Sequence, residues 1–277
     1  MNFEYNQTLW ISHSAISDFE DCPRLYYFKN VYRSPITNHR VQIANPYLSL
    51  GSAVHQAIEE VNILPKEQRL NISLIERFER IWKEYQGKKG GFATQDQEEE
   101  FKERGRKMLK RIEQNPRIIK SSSYQFRERL PKVKLFKDKD IILTGAVDWI
   151  EILPSGGLHI IDFKTGRNKE NNSLQLPIYL ILANYNLNKP VEKVSYWYLE
   201  NDDAPISIDL NPIQYYIPII REKALEIEKA IKEKRFFCKS GYRNCFKCRE
   251  YETIISGQAE YVGYDEKMRK DLYFINK

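Results

Sequence analysis

The sequence predicts an α/β fold in which a central mixed β-sheet is flanked by helices. Residues 141–153 and 158–164 are rich in Ile, Val and Leu around Pro154-Ser155-Gly156, and strand-like runs at 191–199 and 205–210 are interleaved with helix-like segments. At 277 residues the chain can bury a full core of this class.

Taken in order, Cys22-Pro23-Arg24 reads as a helix start with Pro at the first helical position. Residues 50–61 read as a helix with small residues, Gly51, Ser52 and Ala53, in its first turn, where they allow close backbone packing. From 65 to 120 the chain is highly charged and helix-like, a helical insertion. Leu74, Phe78, Ile81 and Trp82 recur at helical spacing, Gly87 to Gly91 breaks the pattern, and a second helix is expected over 95–114. Its basic residues, with Lys88 and Lys89, either track a polyanion or simply form a solvated face, and the latter is the commoner use of such residues. Pro154-Ser155-Gly156 suits a three-residue hairpin loop with Gly where φ is positive. Asn171, Asn172 and Ser173 offer helix caps before the apolar run 174–183, where Pro177 is tolerable only near the first turn. A helix over 212–234 then leads to three cysteines.

Lys and Arg number 44 against 38 Asp and Glu, a net charge of +6 that favours a polyanionic partner without requiring one. No basic-then-apolar leader and no bilayer-length apolar run occur, so a cytoplasmic location is expected and disulfides are not. No Gly-rich phosphate loop ending in Lys-Ser or Lys-Thr is present.

The hairpin carries the chemistry. With the loop closed at 154–156, Asp148 falls opposite Asp162, and such cross-strand neighbours have Cβ atoms roughly 4.5–5.5 Å apart, close enough to share a divalent cation. Asp162 and Lys164 alternate onto one face. Two adjacent carboxylates in apolar strands repel unless a cation lies between them, and magnesium is the natural choice. Gln175 and Tyr179 share one helix face. His55 is either a ligand or a hydrogen-bonded packing residue.

Together Gly51-x-x-x-His55, Gly145-x-x-Asp148-x-Ile150, Ile160-Ile-Asp162-Phe-Lys164-Thr-Gly166 and Gln175-Leu-x-x-Tyr179 resemble, in order, the motifs of the PD-(D/E)XK nuclease superfamily, and within it the RecB-type exonuclease branch. The resemblance covers most of the chain, from Ile11 to Tyr251. It implies a restriction-endonuclease-like core in a single domain of residues 1–277, including the 65–120 insertion and a cysteine region at 236–255. It implies that His55, Asp148, Asp162 and the main-chain carbonyl of Phe163 hold Mg2+ or Mn2+. Lys164 would position or activate the attacking water, while Gln175 and Tyr179 orient the lysine and touch DNA. Relatives often carry an acid in the region of Glu128.

Of the 4 cysteines, Cys22 stands near the N-terminus while Cys238, Cys245 and Cys248 cluster near the C-terminus. Cys245-Phe-Lys-Cys248 has a spacing that grips one metal centre. Cys22-Pro23-Arg24 and the late Cys-x-x-Cys resemble the iron-sulfur subset of this branch, which includes the AddB subunit and the CRISPR-associated adaptation exonucleases. In that subset a [4Fe-4S] cluster pins the termini together. The cysteine that relatives place shortly after the pair is missing here, so Cys238 is expected to substitute. Zinc accepts the same four thiolates, and free buried cysteines are the other reading.

The expected activity is a metal-dependent DNA exonuclease on single-stranded or frayed ends, in repair, recombination, CRISPR adaptation or phage DNA processing. A structure-directed endonuclease and a non-catalytic DNA-binding subunit are the alternatives. Unwinding would fall to a helicase or another recombination or adaptation protein, and the oligomeric state is left open.

Overall fold

The computed structural model describes residues 8–276 except Arg127, Arg129, 170–172 and 242–244. In chain order, β1 (Leu9–Ile11), α1 (His13–Asp21), α2 (Pro23–Tyr26) and β2 (Arg40–Ile43) precede α3 (Pro46–Asn62), α4 (Leu74–Trp82), α5 (Gln95–Gln114) and α6 (Arg117–Lys120). Next come β3 (Ser123–Tyr124), β4 (Lys132–Val133), β5 (Ile141–Thr144), β6 (Trp149–Ile152), β7 (Leu158–Lys164), α7 (Gln175–Asn186), β8 (Val191–Tyr198) and β9 (Ile206–Ser207). The chain closes with α8 (Ile213–Glu233), α9 (Phe246–Ile255), β10 (Glu260–Asp265) and β11 (Lys270–Phe274). This is a mixed α/β architecture of sheets flanked by helices. Among the described residues no helix is long and apolar enough to cross a membrane.

The chain forms two compact units, one made of Asn45–Pro131 and Gly145–Asn211, the other of the segments up to Ala44, Lys132–Thr144 and from Pro212 onward. The first holds a five-stranded sheet in the order β3-β6-β7-β8-β9. β7 is antiparallel to β6 and parallel to β8. Every β7 residue but Lys164 is buried, as befits a strand covered on both faces. The turn into β7 closes where expected, with Leu153 N donating to Gly157 O at 2.9 Å and Gly156 at φ +88°.

One expectation is corrected. Residues 141–153 are not a continuous strand, because Ile141–Thr144 pairs with β1 and β4 in a separate sheet and only Trp149–Ile152 pairs with β7. Gly145 marks the break. A Cβ there would sit 3.2 Å from Leu182 and 3.3 Å from Tyr179 of α7, so the backbone presses against the helix and leaves the ladder. The helix carrying His55 also begins earlier than expected. Asn45 caps it, its side chain accepting from Tyr47 N, and Pro46 occupies the first turn, which moves Gly51 into the interior of α3.

Within residues 65–120, α4 and α5 form where the helical spacing predicts them, and α5 spans Gln95–Gln114. Phe78, Ile81 and Trp82 of α4 and Met108, Leu109 and Ile112 of α5 join Val54 and Ile58 of α3 in one core that reaches Trp149, Phe163 and Trp197 of the sheet. The basic residues of α5 are largely paired: Lys102 and Arg106 with Glu79 at 2.8 and 2.6 Å, Arg111 with Asp203 at 2.9 Å. These pairs offset much of the positive charge along α5. Arg69 is only 4 % exposed, caps the carbonyls of Ile119 and Ser121 at 2.8 Å each, and lies 4.9 Å over the Trp149 ring. Across the sheet, Glu151, His159 and Ser195 form a buried chain of 2.9 and 2.7 Å contacts. Burial pulls His159 below its usual range, so it stays neutral, and with Ser195 sealed from solvent this chain is a cross-strand tie.

In the other unit, β1-β5-β4 and β10-β11-β2 are small sheets. α2 is tied to α9 by Arg24 to Glu252 at 2.8 Å, and the helical turn that follows α2 adds a Phe28–Tyr251 stack at 6.0 Å.

Candidate active site and thiolate cluster

The β6–β7 register pairs Trp149 with Ile161 and Ile150 with Ile160, so Asp148, one residue before β6, continues that register opposite Asp162. Alternation along β7 puts Asp162 and Lys164 on one face, while the Phe163 ring packs on the other against Trp149 and Trp197. Only the main chain of Phe163 is thereby left for the site. α7 starts at Gln175 with Pro177 in its first turn, and Ser173 Oγ accepts from Gln175 N at 3.2 Å. Asn171 and Asn172, the other expected caps, lie outside the described residues.

His55, Asp148, Asp162, Phe163, Lys164 and Gln175 line a single open cavity of about 260 Å³ together with Thr165, Gly166 and Asn168. His55 Nδ1 is 3.2 Å from Asp148 Oδ1, and Asp148 Oδ2 accepts from Phe163 N at 2.9 Å. Gln175 is the hub: Nε2 donates to Asp162 Oδ1 at 2.7 Å and to Tyr179 Oη at 3.0 Å, while Oε1 accepts from Lys164 Nζ. Lys164 Nζ lies 3.1 Å from Asp162 Oδ2 and 5.0 Å over the Tyr196 ring. Glu128 is exposed and does not line the cavity.

The electrostatics favour a cation. Burial and the Asp148 charge raise the Asp162 carboxyl to about 7, even with Lys164 and His55 beside it. Burial alone would lower His55, but the Asp148 carboxylate, with help from Asp162 and Glu59, raises it to about 9. Asp162 Oδ2 is fully buried yet has no hydrogen bond of good geometry. Two carboxylates and a main-chain carbonyl at one cavity give hard oxygen donors of the kind Mg2+ and Mn2+ prefer, His55 adds a borderline nitrogen, and Asp162 Oδ2, 3.1 Å from the Lys164 ammonium but without a hydrogen bond, is the oxygen such an ion would satisfy.

Three cavity-lining residues and Tyr196 were given no role by the sequence reading. Thr165 and Gly166 belong to a quoted motif, and Asn168 follows in the same loop, so their position directly after β7 was the available signal. Tyr196 reaches Lys164 only through the β7–β8 register, which pairs Asp162 with Tyr196.

The four thiols form a second centre. The Sγ atoms of Cys22, Cys238, Cys245 and Cys248 all lie within 4.8 Å of one another, bringing residue 22 together with the late cysteines. Cys22, Cys245 and Cys248 are buried and Cys238 is half-buried. Cys22 sits between α1 and α2, while Cys245 caps α9 and Cys248 lies in its first turn. Burial works against a Cys245 thiolate, but backbone N–H groups and the neighbouring thiols lower it to about 7, whereas Cys248 is pushed up by burial and by those same thiols. Such a set fits a thiophilic metal centre of open identity.

A model of the PD-(D/E)XK nuclease superfamily matches residues 10–253. No curated protein matches the chain. With that match spanning most of its length, the chain belongs to the PD-(D/E)XK nuclease superfamily and is, by that membership, a nuclease of a generally metal-dependent kind.

Proposed function

We propose that the protein is a divalent-metal-dependent deoxyribonuclease of the RecB-type branch, hydrolysing phosphodiesters at single-stranded or frayed DNA ends. The observation that carries this is the convergence of Lys164, Asp162, Asp148 and His55 on one open cavity, with Gln175 bridging the lysine and an acid. His55, Asp148, Asp162 and the Phe163 carbonyl would hold Mg2+ or Mn2+. When bound, the cation polarises a phosphoryl oxygen and makes water a nucleophile near neutral pH.

The remaining work falls to the side chains. Lys164, held by Gln175 and Asp162, orients the attacking water and offsets charge building on the phosphate. Burial and the nearby Asp162 and Asp148 charges hold the Tyr179 phenol well above its usual range, so it stays neutral and keeps Gln175 in register. The motif order supports the RecB-type assignment, and end-dependence is inferred from that assignment. We assign both units to one nuclease domain whose Cys22, Cys238, Cys245 and Cys248 hold a [4Fe-4S] cluster or zinc. Duplex unwinding is left to a partner protein.

The test is digestion of end-labelled single-stranded, duplex and closed circular DNA by anaerobically purified protein with Mg2+ or Mn2+, beside Asp162→Ala and a chelator control. Cutting of linear DNA that disappears in the variant supports the reading. Efficient cutting of the closed circle would replace the exonuclease with an endonuclease. No cutting by folded, metal-loaded protein would overturn catalysis in favour of a binding subunit.

A further inference from the structure

Tyr47, Gly51 and His55 recur every four residues along α3 and so form one row on the helix. Two members of the row meet the cavity. His55 lines it, and a Cβ on Gly51 would come 3.3 Å from Oγ1 of Thr165, itself a lining residue. At about 1.5 Å rise per residue, Tyr47 stands roughly 6 Å beyond Gly51 along the helix axis, at the next turn outward.

Tyr47 is 65 % exposed, yet its ring is held. Phe101 meets it edge-to-face with centroids 5.0 Å apart, and Arg104 Cζ lies 5.8 Å from its centroid. Arg104 is itself anchored, with Nε and Nη2 bonded to the two Glu200 oxygens at 3.3 and 3.2 Å. A braced, solvent-facing aromatic ring two helical turns from His55, in the row that leads to the cavity, is an arrangement that stacks unpaired bases. Tyr185 is the other exposed aromatic ring among the described residues of this unit. It lies on α7 ten residues past Gln175, about 15 Å along that helix, and shares no row with the site.

We propose that Tyr47 is a stacking platform for an unpaired nucleobase adjoining the scissile phosphate, and that it makes this site prefer single-stranded ends. The inference rests on the nuclease reading above for its ligand, and its test is separable from catalysis. Fluorescence anisotropy of labelled oligothymidylate, measured without added divalent metal, reads binding alone. Tyr47→Ala is expected to weaken single-strand binding by about 5- to 150-fold, the range for losing one base stack. Tyr47→Trp restores it, Tyr185→Ala leaves it unchanged, and blunt duplex binding hardly moves. In a series of oligonucleotides each carrying one abasic position, wild type loses affinity at one position, where Tyr47→Ala loses nothing further. Equal binding by Tyr47→Ala and wild type overturns the platform, as does a loss uncoupled to any abasic position. A protein that shows this coupling but never cuts DNA sinks the catalytic reading and leaves the platform standing.

Discussion

Replacing Gln175 by Ala removes the contact that holds the lysine and an acid of the site in one geometry. Its amide nitrogen donates to Asp162 Oδ1 at 2.7 Å and its oxygen accepts from Lys164 Nζ. Asp162 is 1 % exposed and its other oxygen already lacks a well-directed donor, so truncation leaves both oxygens poorly satisfied. Hydrogen bonds to charged groups contribute about 1.5–3 kcal/mol each, and outer partners of metal ligands typically cost about 10–100-fold in affinity or activity when removed. Ala suits the first turn of α7, so the helix itself survives. The expected result is a turnover on end-labelled DNA lowered about 10–100-fold, with a higher Mg2+ or Mn2+ concentration for half-activity and little change in DNA binding. Gln175→Glu separates shape from hydrogen-bond direction. It keeps an acceptor for Lys164 but turns an acceptor toward Asp162 Oδ1, so it is expected to do no better than Ala. Activity within about twofold of wild type in Gln175→Ala, or full activity in Gln175→Glu, would refute this account of the hub.

In the metal-free protein, His55 at about 9 and Asp162 at about 7 both titrate above their unfolded values, so the folded state binds more protons and stability falls as pH rises toward those values. Thermal melts without metal should therefore drop from pH 6 to pH 8, and added Mn2+ should recover more at pH 8; a flat profile would contradict the placement of these groups. Cys245→Ser should lose the thiolate-bound metal by elemental analysis and lower the melting temperature, whereas unchanged metal content would exclude a four-thiolate centre. Arg69→Met should destabilise the fold by about 3 kcal/mol or more by denaturant titration, because the buried carbonyls of Ile119 and Ser121 lose a charged donor; a loss under about 1 kcal/mol would show that water replaces it.

The sequence by itself determined whatever depends on local period. Two-residue alternation placed Asp162 and Lys164 on one face of β7, the four-residue helical repeat joined Gln175 to Tyr179, and the apolar and charged pattern of 95–114 marked out α5. The loop at 154–156 set the register that carries Asp148 opposite Asp162. Tertiary structure alone decided which strands pair over long range. It divided 141–153 between two sheets, because Gly145 packs against α7 and the preceding residues find β1 and β4 instead. Tyr196 came beneath Lys164 through a parallel β8 supplied by a distant segment, and Cys238 joined Cys22 across most of the chain. Glu128 was left outside the cavity for the same reason. Period and turn chemistry are properties of neighbours in sequence, whereas strand order and ligand convergence depend on which distant apolar faces bury one another, and no window of the sequence contains both partners.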